Sequence, residues 1–267
     1  MSGLRLLLRF ITASLRAQAQ YPASAIMLTL GQFFATVIEI LAVWALFHRF
    51  GDVHGWRFGE VAVFYGLVNM MFALADMITR GFDVLGTEFL RTGEFDRVLL
   101  RPRAATLQLI GYEFRISRLG RFAQGLAVLV IGSQLVGVQW GPAEVVLAIW
   151  AVAAGVALFF GVLVLQATMS FWTIESLEVA NIVTYGGVQA AQYPLSLYDK
   201  MFRGFLTYVV PLACVAYFPV LVILGKPDPL GTPTWFGIVA PLAGFAFLAL
   251  AMGAWRIGIR HYCSTGS

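Results

Sequence analysis

The sequence predicts an all-α polytopic membrane protein with six transmembrane helices. Three observations carry that prediction. The chain is 60% hydrophobic and only 12% charged, with a mean hydropathy of +0.81, whereas soluble domains are roughly 25% charged. Long apolar runs recur along the 267 residues, and at about 20 residues per span plus connections roughly six spans fit, with no soluble domain left over. Five of the seven tryptophans (Trp56, Trp140, Trp172, Trp235, Trp255) lie near the ends of those runs, as an interfacial belt requires.

The elements follow in order. Residues 4–18 read as a helix lying on the membrane. At about 100° per residue, Leu4, Leu7, Leu8, Ile11 and Leu15 share one sector, and Arg5, Arg9 and Arg16 another that faces anionic headgroups. Leu6 and Phe10 interrupt the polar face. Pro22 then sits where a new helix starts. Apolar runs at 23–47, 57–79, 119–137, 143–172 and 234–256 are each long enough to cross a hydrocarbon core of about 30 Å. The region 173–230 offers two candidates for the remaining span. The piece 176–192 is interrupted by Glu178, Asn181, Gln189 and Gln192; the piece 205–224 contains Pro211 and Pro219, which break helical hydrogen bonding. Hydropathy favours 205–224. The alternative makes 176–192 the span and 193–224 a broken hairpin dipping in from outside.

Either choice leaves both termini on one side, and the basic residues orient it. The N-terminal segment has three, the loop 80–121 eight (Arg80, Arg91, Arg97, Arg101, Arg103, Arg115, Arg118, Arg121) and the C-terminal end two, 13 in all. The opposite loops hold three: Arg49, Arg57 and Lys226. The bias puts both termini and the 80–121 loop in the cytoplasm. Within that loop, residues 93–102 read GEFDRVLLRP. Glu94 and Asp96 at the start and Arg97 and Arg101 at the end suit a helix dipole. Phe95, Val98, Leu99 and Leu100 give an apolar side, and Pro102 stops the helix. Such a helix rests on headgroups or docks into another protein.

Several chemistries have no support. No G-x-x-x-x-G-K-[ST] phosphate loop occurs, and neither Lys200 nor Lys226 follows a glycine-rich turn opening a helix. The chain therefore has no such nucleotide site of its own. Cys214 and Cys263 are too few for a disulfide framework. His48, Asp52 and His54 share one short loop, where solvated polar residues are the ordinary reading and a metal is not expected. The N-terminus has no compact apolar core followed by a small-residue cleavage site. Acids within the apolar runs stand out because they are costly there: Glu39 in the first, Asp76 near the end of the second, and Glu175 and Glu178 beside the disputed piece. A buried polar contact is preferred over a proton path, because no span shows a Lys or Arg at matching depth.

The segment TGEFDRVLLRPRAATLQLIGYEF resembles the cytoplasmic loop of the type-2 family of ABC exporter permeases. It is closest to the branch whose genes typically encode one ATPase and two different permeases, with a similar G-E-hydrophobic-D-R-x-L-L-R-P run. QYPLSLYDKMFRGFLTYVVPLACVAYFPVLVILGK, residues 192–226, resembles the same family in its tyrosine-proline start and spaced prolines, and the ending HYCSTGS also fits. The resemblance implies residues 1–22 as a connecting helix and 23–267 as a single six-span domain. In that domain 93–102 is the coupling helix, 176–192 the fifth span and 193–224 a re-entrant hairpin.

The function so implied is the permease subunit of an ATP-driven exporter in the inner membrane. Its partners are an ABC ATPase subunit, a second permease, different or identical, and membrane lipid; no nucleic acid is expected. ATP and Mg would sit on the ATPase, with no cofactor on this chain and no catalytic residue. Glu94, Phe95, Asp96, Arg97, Leu99, Leu100 and Arg101 are the expected ATPase-coupling residues. Gln32, Glu39, Asn69, Asn181 and Gln189 are the expected path liners, because polar groups facing lipid are costly. The rivals are an ion-gradient-driven transporter using Glu39 or Asp76 as its titrating group, and a membrane scaffold without transport.

Overall fold

The computed structural model describes residues 3–173 and 177–263, the side chains of residues 3–4, 6 and 177–183 aside. Glu175, the side chains of Glu178 and Asn181, and the last four residues of the HYCSTGS ending thus lie outside the described residues.

The chain is helical. Helix α1 (Gly3–Ala19) leads to α2 (Pro22–Phe50), with proline in its first turn, and then α3 (Phe58–Ile78). A run of short elements follows: α4 (Arg80–Asp83), a π-helical turn (Leu85–Leu90), α5 (Glu94–Leu100) and α6 (Ala105–Ile110). Then come α7 (Arg118–Val136), α8 (Pro142–Met169) and α9 (Leu177–Ala191). After a single 3-10 turn, α10 (Lys200–Gly204) runs on as a π-helical turn to Val209. A second π-helical turn (Ala213–Tyr217) leads into α11 (Phe218–Ile223). Short α12 (Phe236–Val239) and α13 (Leu242–His261) finish the chain. Among the described residues five helices are long and apolar enough to cross a membrane: α2, α3, α7, α8 and the α12–α13 unit Phe236–His261. They coincide with the five apolar runs, α2 and the last reaching a few residues further.

Helix α3 is the core. Of its most apolar 18 residues 83% are buried, against 17% for α2, so α3 is surrounded by protein while α2 leaves most of its surface to lipid or a partner. The α3–α7 contact is unusually close. A Cβ on Gly66 would lie 2.6 Å from the Gly125 carbonyl oxygen, and one on Gly132 2.9 Å from that of Gly59. Two glycine pairs, each seven residues apart along its helix, let the backbones meet as small-residue membrane interfaces do. At the other side α8 packs along α13, where a Cβ on Gly244 would strike the Ala154 carbonyl oxygen.

The disputed region resolves into both of its pieces. Helix α9 has 15 residues. Thr184 on it donates to Gln166 of α8 at 2.9 Å, while Gln189 shares a cleft with Val43 and Leu46, so α9 climbs from the end holding the described termini toward the opposite, distal end. The piece 200–223 is a pair of helices bent by 83°. Pro211 causes the bend: it pushes Val210 into extended backbone (φ −119°, ψ 94°), as the residue before proline prefers. Both flanks of this bent pair meet the same loop. Trp56 Nε1 donates to Ser196 Oγ at 2.9 Å before it, and Lys226 Nζ donates to the Gly55 carbonyl at 3.0 Å after it. Lys226 also bonds both carboxylate oxygens of Glu60 (2.9 and 3.0 Å) and lies 3.9 Å from the centre of the Trp56 ring.

Candidate functional site

Helical spacing places Tyr65, Asn69, Phe72 and Asp76 in one stripe of α3. The stripe Gln32, Thr36 and Glu39 of α2 and the stripe Arg118, Arg121 and Gln124 of α7 close against it. The result is a polar seam inside an otherwise apolar bundle. At its distal end the Tyr65 hydroxyl lies within hydrogen-bond distance of Glu39 Oε2 (3.1 Å) and the Thr36 carbonyl (2.9 Å). At mid-depth Arg121 Nε donates to Asn69 Oδ1 at 2.6 Å, and its guanidinium lies 4.7 Å from the centre of the Phe72 ring. Toward the terminal end Arg118 Nε is 2.7 Å from Asp76 Oδ2, an ion pair by distance whose N–H is not aimed along that line. A second Arg118 nitrogen donates to Gln32 Oε1 at 2.9 Å.

The seam continues out of the bundle as a chain of ion pairs. Arg115 lies 3.8 Å from Asp76 and 3.7 Å from Glu113; Arg80 reaches Asp83 at 2.9 Å and Glu88 and Glu113 at 3.7 Å each. Tyr112 donates to Glu88 at 2.7 Å, and that bond, with some burial, raises the phenol above its usual range. It therefore stays a neutral donor at pH 7. Sequence reasoning missed this network. It counted Arg115, Arg118 and Arg121 as loop charges, although Arg121 falls inside the run 119–137. Arg118 is the basic partner for Asp76 that no span was thought to supply. The preference for a buried polar contact at Asp76 stands.

The expected path liners separate. Glu39 and Gln189 line one cleft of about 340 Å³ between α2 and α9, with Tyr65 at its floor. Gln32 is engaged by Arg118. Asn69 is fully buried and braces the seam, so it is not a wall of the cleft. The side chain of Asn181 lies outside the described residues.

The insert at 93–102 forms α5. Gly93, in the left-handed region at φ +74°, starts it, and Arg101 turns extended to end it ahead of Pro102. One side of α5 is held fast. Phe95 has no exposed surface and packs against Phe171 (5.5 Å between ring centres) and Tyr262 (5.0 Å), within a cluster that Trp255 and Phe82 complete. This anchors α5 to the ends of α8 and α13. Phe95, expected among the coupling contacts, is therefore the anchor and not part of the outer surface. The other side is open: Leu99 is 42% and Leu100 84% exposed. Arg97 is paired with Glu94 at 2.7 Å yet 73% exposed, and Arg101 is exposed beside it. The eight basic residues of 80–121 thus divide. Arg80, Arg115, Arg118 and Arg121 turn to partners within the chain, and Arg91, Arg97, Arg101 and Arg103 face out around α5.

Helix α1 docks on the turn before α7. The Phe114 N–H donates to Ser14 Oγ at 3.0 Å and the Ile116 N–H to Gln18 Oε1 at 3.3 Å. Phe10, which interrupted the polar face of α1 in sequence, covers Gly111 so closely that a Cβ there would touch its ring. Among the described residues no group of three metal-ligating side chains comes together; His48 instead stacks on Trp44 at 5.1 Å.

No curated protein and no solved structure matches the chain. The family described as ABC-2 family transporter protein matches residues 33–266. That span runs from α2 to the C-terminus and takes in the polar seam, α5 and the bent pair. A family match over most of the chain and an all-helical bundle of membrane-spanning length agree: the protein belongs to the ABC-2 transporter family, as a multi-pass membrane permease component of an ABC transporter.

Proposed function

We propose that this permease is one half of an ATP-driven exporter. It pairs with a second permease, different from itself, and takes its energy from separate ATPase subunits that carry ATP and Mg. The observation that carries this reading is α5. An amphipathic helix with one side locked into the bundle by Phe95 and the other presenting Arg97, Leu99, Leu100 and Arg101 suits the transmission of force from a docked protein. A helix resting on headgroups would turn Phe95 and Val98 to lipid; here both are buried in protein. Asp96 and Glu94 complete the contact surface in this reading.

The terminal end is cytoplasmic, by the excess of basic residues there. Residues 1–22 are the connecting segment, with α1 as its helix, and 23–267 one domain. The bent pair is a re-entrant hairpin from the outside and α9 the fifth span. Support comes from the two flanks of the bent pair meeting at Trp56 and Gly55, since a segment that enters and leaves at one end does not cross. Cargo passes between the permeases, along α2, α3 and α9, with Glu39 and Gln189 facing it.

The test is charge reversal at Arg97 and Arg101 together, in cells that carry the ATPase and the second permease. Losing charge pairs at a protein interface costs about 2–5 kcal/mol, so the ATPase should fail to co-purify, or should hydrolyse ATP without transport. Intact co-purification and transport would remove α5 as the coupling element.

A further inference from the structure

A cleft of about 860 Å³ opens at the terminal end of the seam, where Gln32 and Arg118 line it, apart from the cleft between α2 and α9. It lies between α1, the first turns of α2 and the turn leading into α7. We propose that it holds the phosphate headgroup of one anionic phospholipid from the cytoplasmic leaflet. The cleft has an amphiphile's two halves. Its lining brings apolar Phe10, Ala17 and Leu28 together with polar Ser117, Arg115 and Arg118. Its lining reaches from Tyr21 to Gln32 on α2, about 16 Å at 1.5 Å per residue, long enough for a headgroup and the first part of its acyl chains. Tyr21 at the mouth is 72% exposed and Leu28 60% exposed, so the cleft opens sideways at interfacial depth.

The charge around it favours an anion. Helix α1 contributes Arg5, Arg9 and Arg16 and no acid, and all three are exposed. Arg115 and Arg118 add two more positive charges, against Glu113 in the lining and Asp76 behind it. Those two arginines are matched by the two carboxylates, so the positive excess near the cleft is that of Arg5, Arg9 and Arg16 on the exposed face of α1, outside the lining. A basic amphipathic helix on the surface draws anionic lipid, and the cleft adds what a surface lacks: donors and apolar contact in one recess. A free phosphate would use only the first, whereas a lipid uses both. This inference does not depend on the cargo path or on the ATPase contact.

The experiment uses the full chain, purified in detergent and examined by native mass spectrometry while phosphatidylglycerol or phosphatidylcholine is titrated. One phosphatidylglycerol should be retained with clear preference over phosphatidylcholine. Arg115→Gln should weaken that retention about fivefold, the effect of one arginine near a membrane surface, and erase the preference. Ala25→Phe fills the cleft without touching an ion pair; it should lower retention while leaving thermal unfolding unchanged. Equal retention of the two lipids, or an Ala25→Phe protein that binds as wild type does, would overturn the proposal. Displacement of the lipid by millimolar inorganic phosphate or glycerol phosphate would overturn it too, and would make the site one for a free phosphate.

Discussion

Replacing Asp76 by Asn tests whether the seam is held by its ion pair. The carboxylate is 8% exposed and the Arg118 and Arg115 side chains 16% and 17% exposed, at 2.7 and 3.8 Å. At an effective dielectric of about 20, a charge pair at that shorter distance attracts by about 6 kcal/mol. Desolvating both groups offsets much of this, and orphaning one member of a buried pair costs about 3–5 kcal/mol in other proteins. Arg118 keeps Gln32 and Arg115 keeps Glu113, so the lower figure, about 3 kcal/mol, is expected here for Asp76→Asn. Arg118→Gln should cost a similar amount, and the double variant little more than either alone, leaving a coupling of about 2 kcal/mol. The assay is unfolding by titrated dodecyl sulfate in mixed micelles, read by tryptophan fluorescence, for all four proteins of the cycle. Additivity within about 0.5 kcal/mol would refute the reasoning. The two side chains would then be near each other without holding the helices together.

Three more perturbations follow from the packing. Gly66→Ala puts a methyl 2.6 Å from the Gly125 carbonyl oxygen and the Leu129 nitrogen, both backbone, so it should cost about 1–3 kcal/mol in the same titration. Gly31→Ala, with nothing within 4 Å of its Cβ, should be neutral or stabilising, and equal effects would sink the close-contact argument. Phe95→Ala removes the anchor of α5. A loss of about 3–5 kcal/mol should appear as faster protease cleavage at Arg97 to Arg103 in purified protein, and unchanged cleavage would mean that α5 is held by something else. Lys226→Met leaves Glu60 buried without its cation, so a cysteine placed at Ser196 should react faster with a thiol reagent, in a background lacking Cys214 and Cys263. No change in rate would show that the lysine does not pin the flank of the bent pair.

Much of the fold was legible because a membrane fixes it through short-range rules. Composition required a membrane, and span length and apolar runs located five helices to within a few residues, because each helix satisfies its own backbone in lipid. The amphipathic period gave α1, and the acid-to-base order with Pro102 gave α5. The proline at 211 announced a break. What the chain alone left open was every question of which helices touch. Arg118 and Arg121 look like loop charges in sequence, and only the crossing of α3 and α7 brings them to Asp76 and Asn69. Phe95 looks like a docking residue, and only the meeting of α8 and α13 turns it into an anchor. Hydropathy favoured 205–224 over 176–192, and only the fold shows that the former is bent by 83° and that Ser196 and Lys226 on its flanks meet the same loop. Apolar helices in lipid are interchangeable by transfer energy, so their neighbours are chosen by glycine contacts, buried ion pairs and aromatic packing. Those are properties of pairs of residues far apart in sequence, and the tertiary structure alone brings such pairs together.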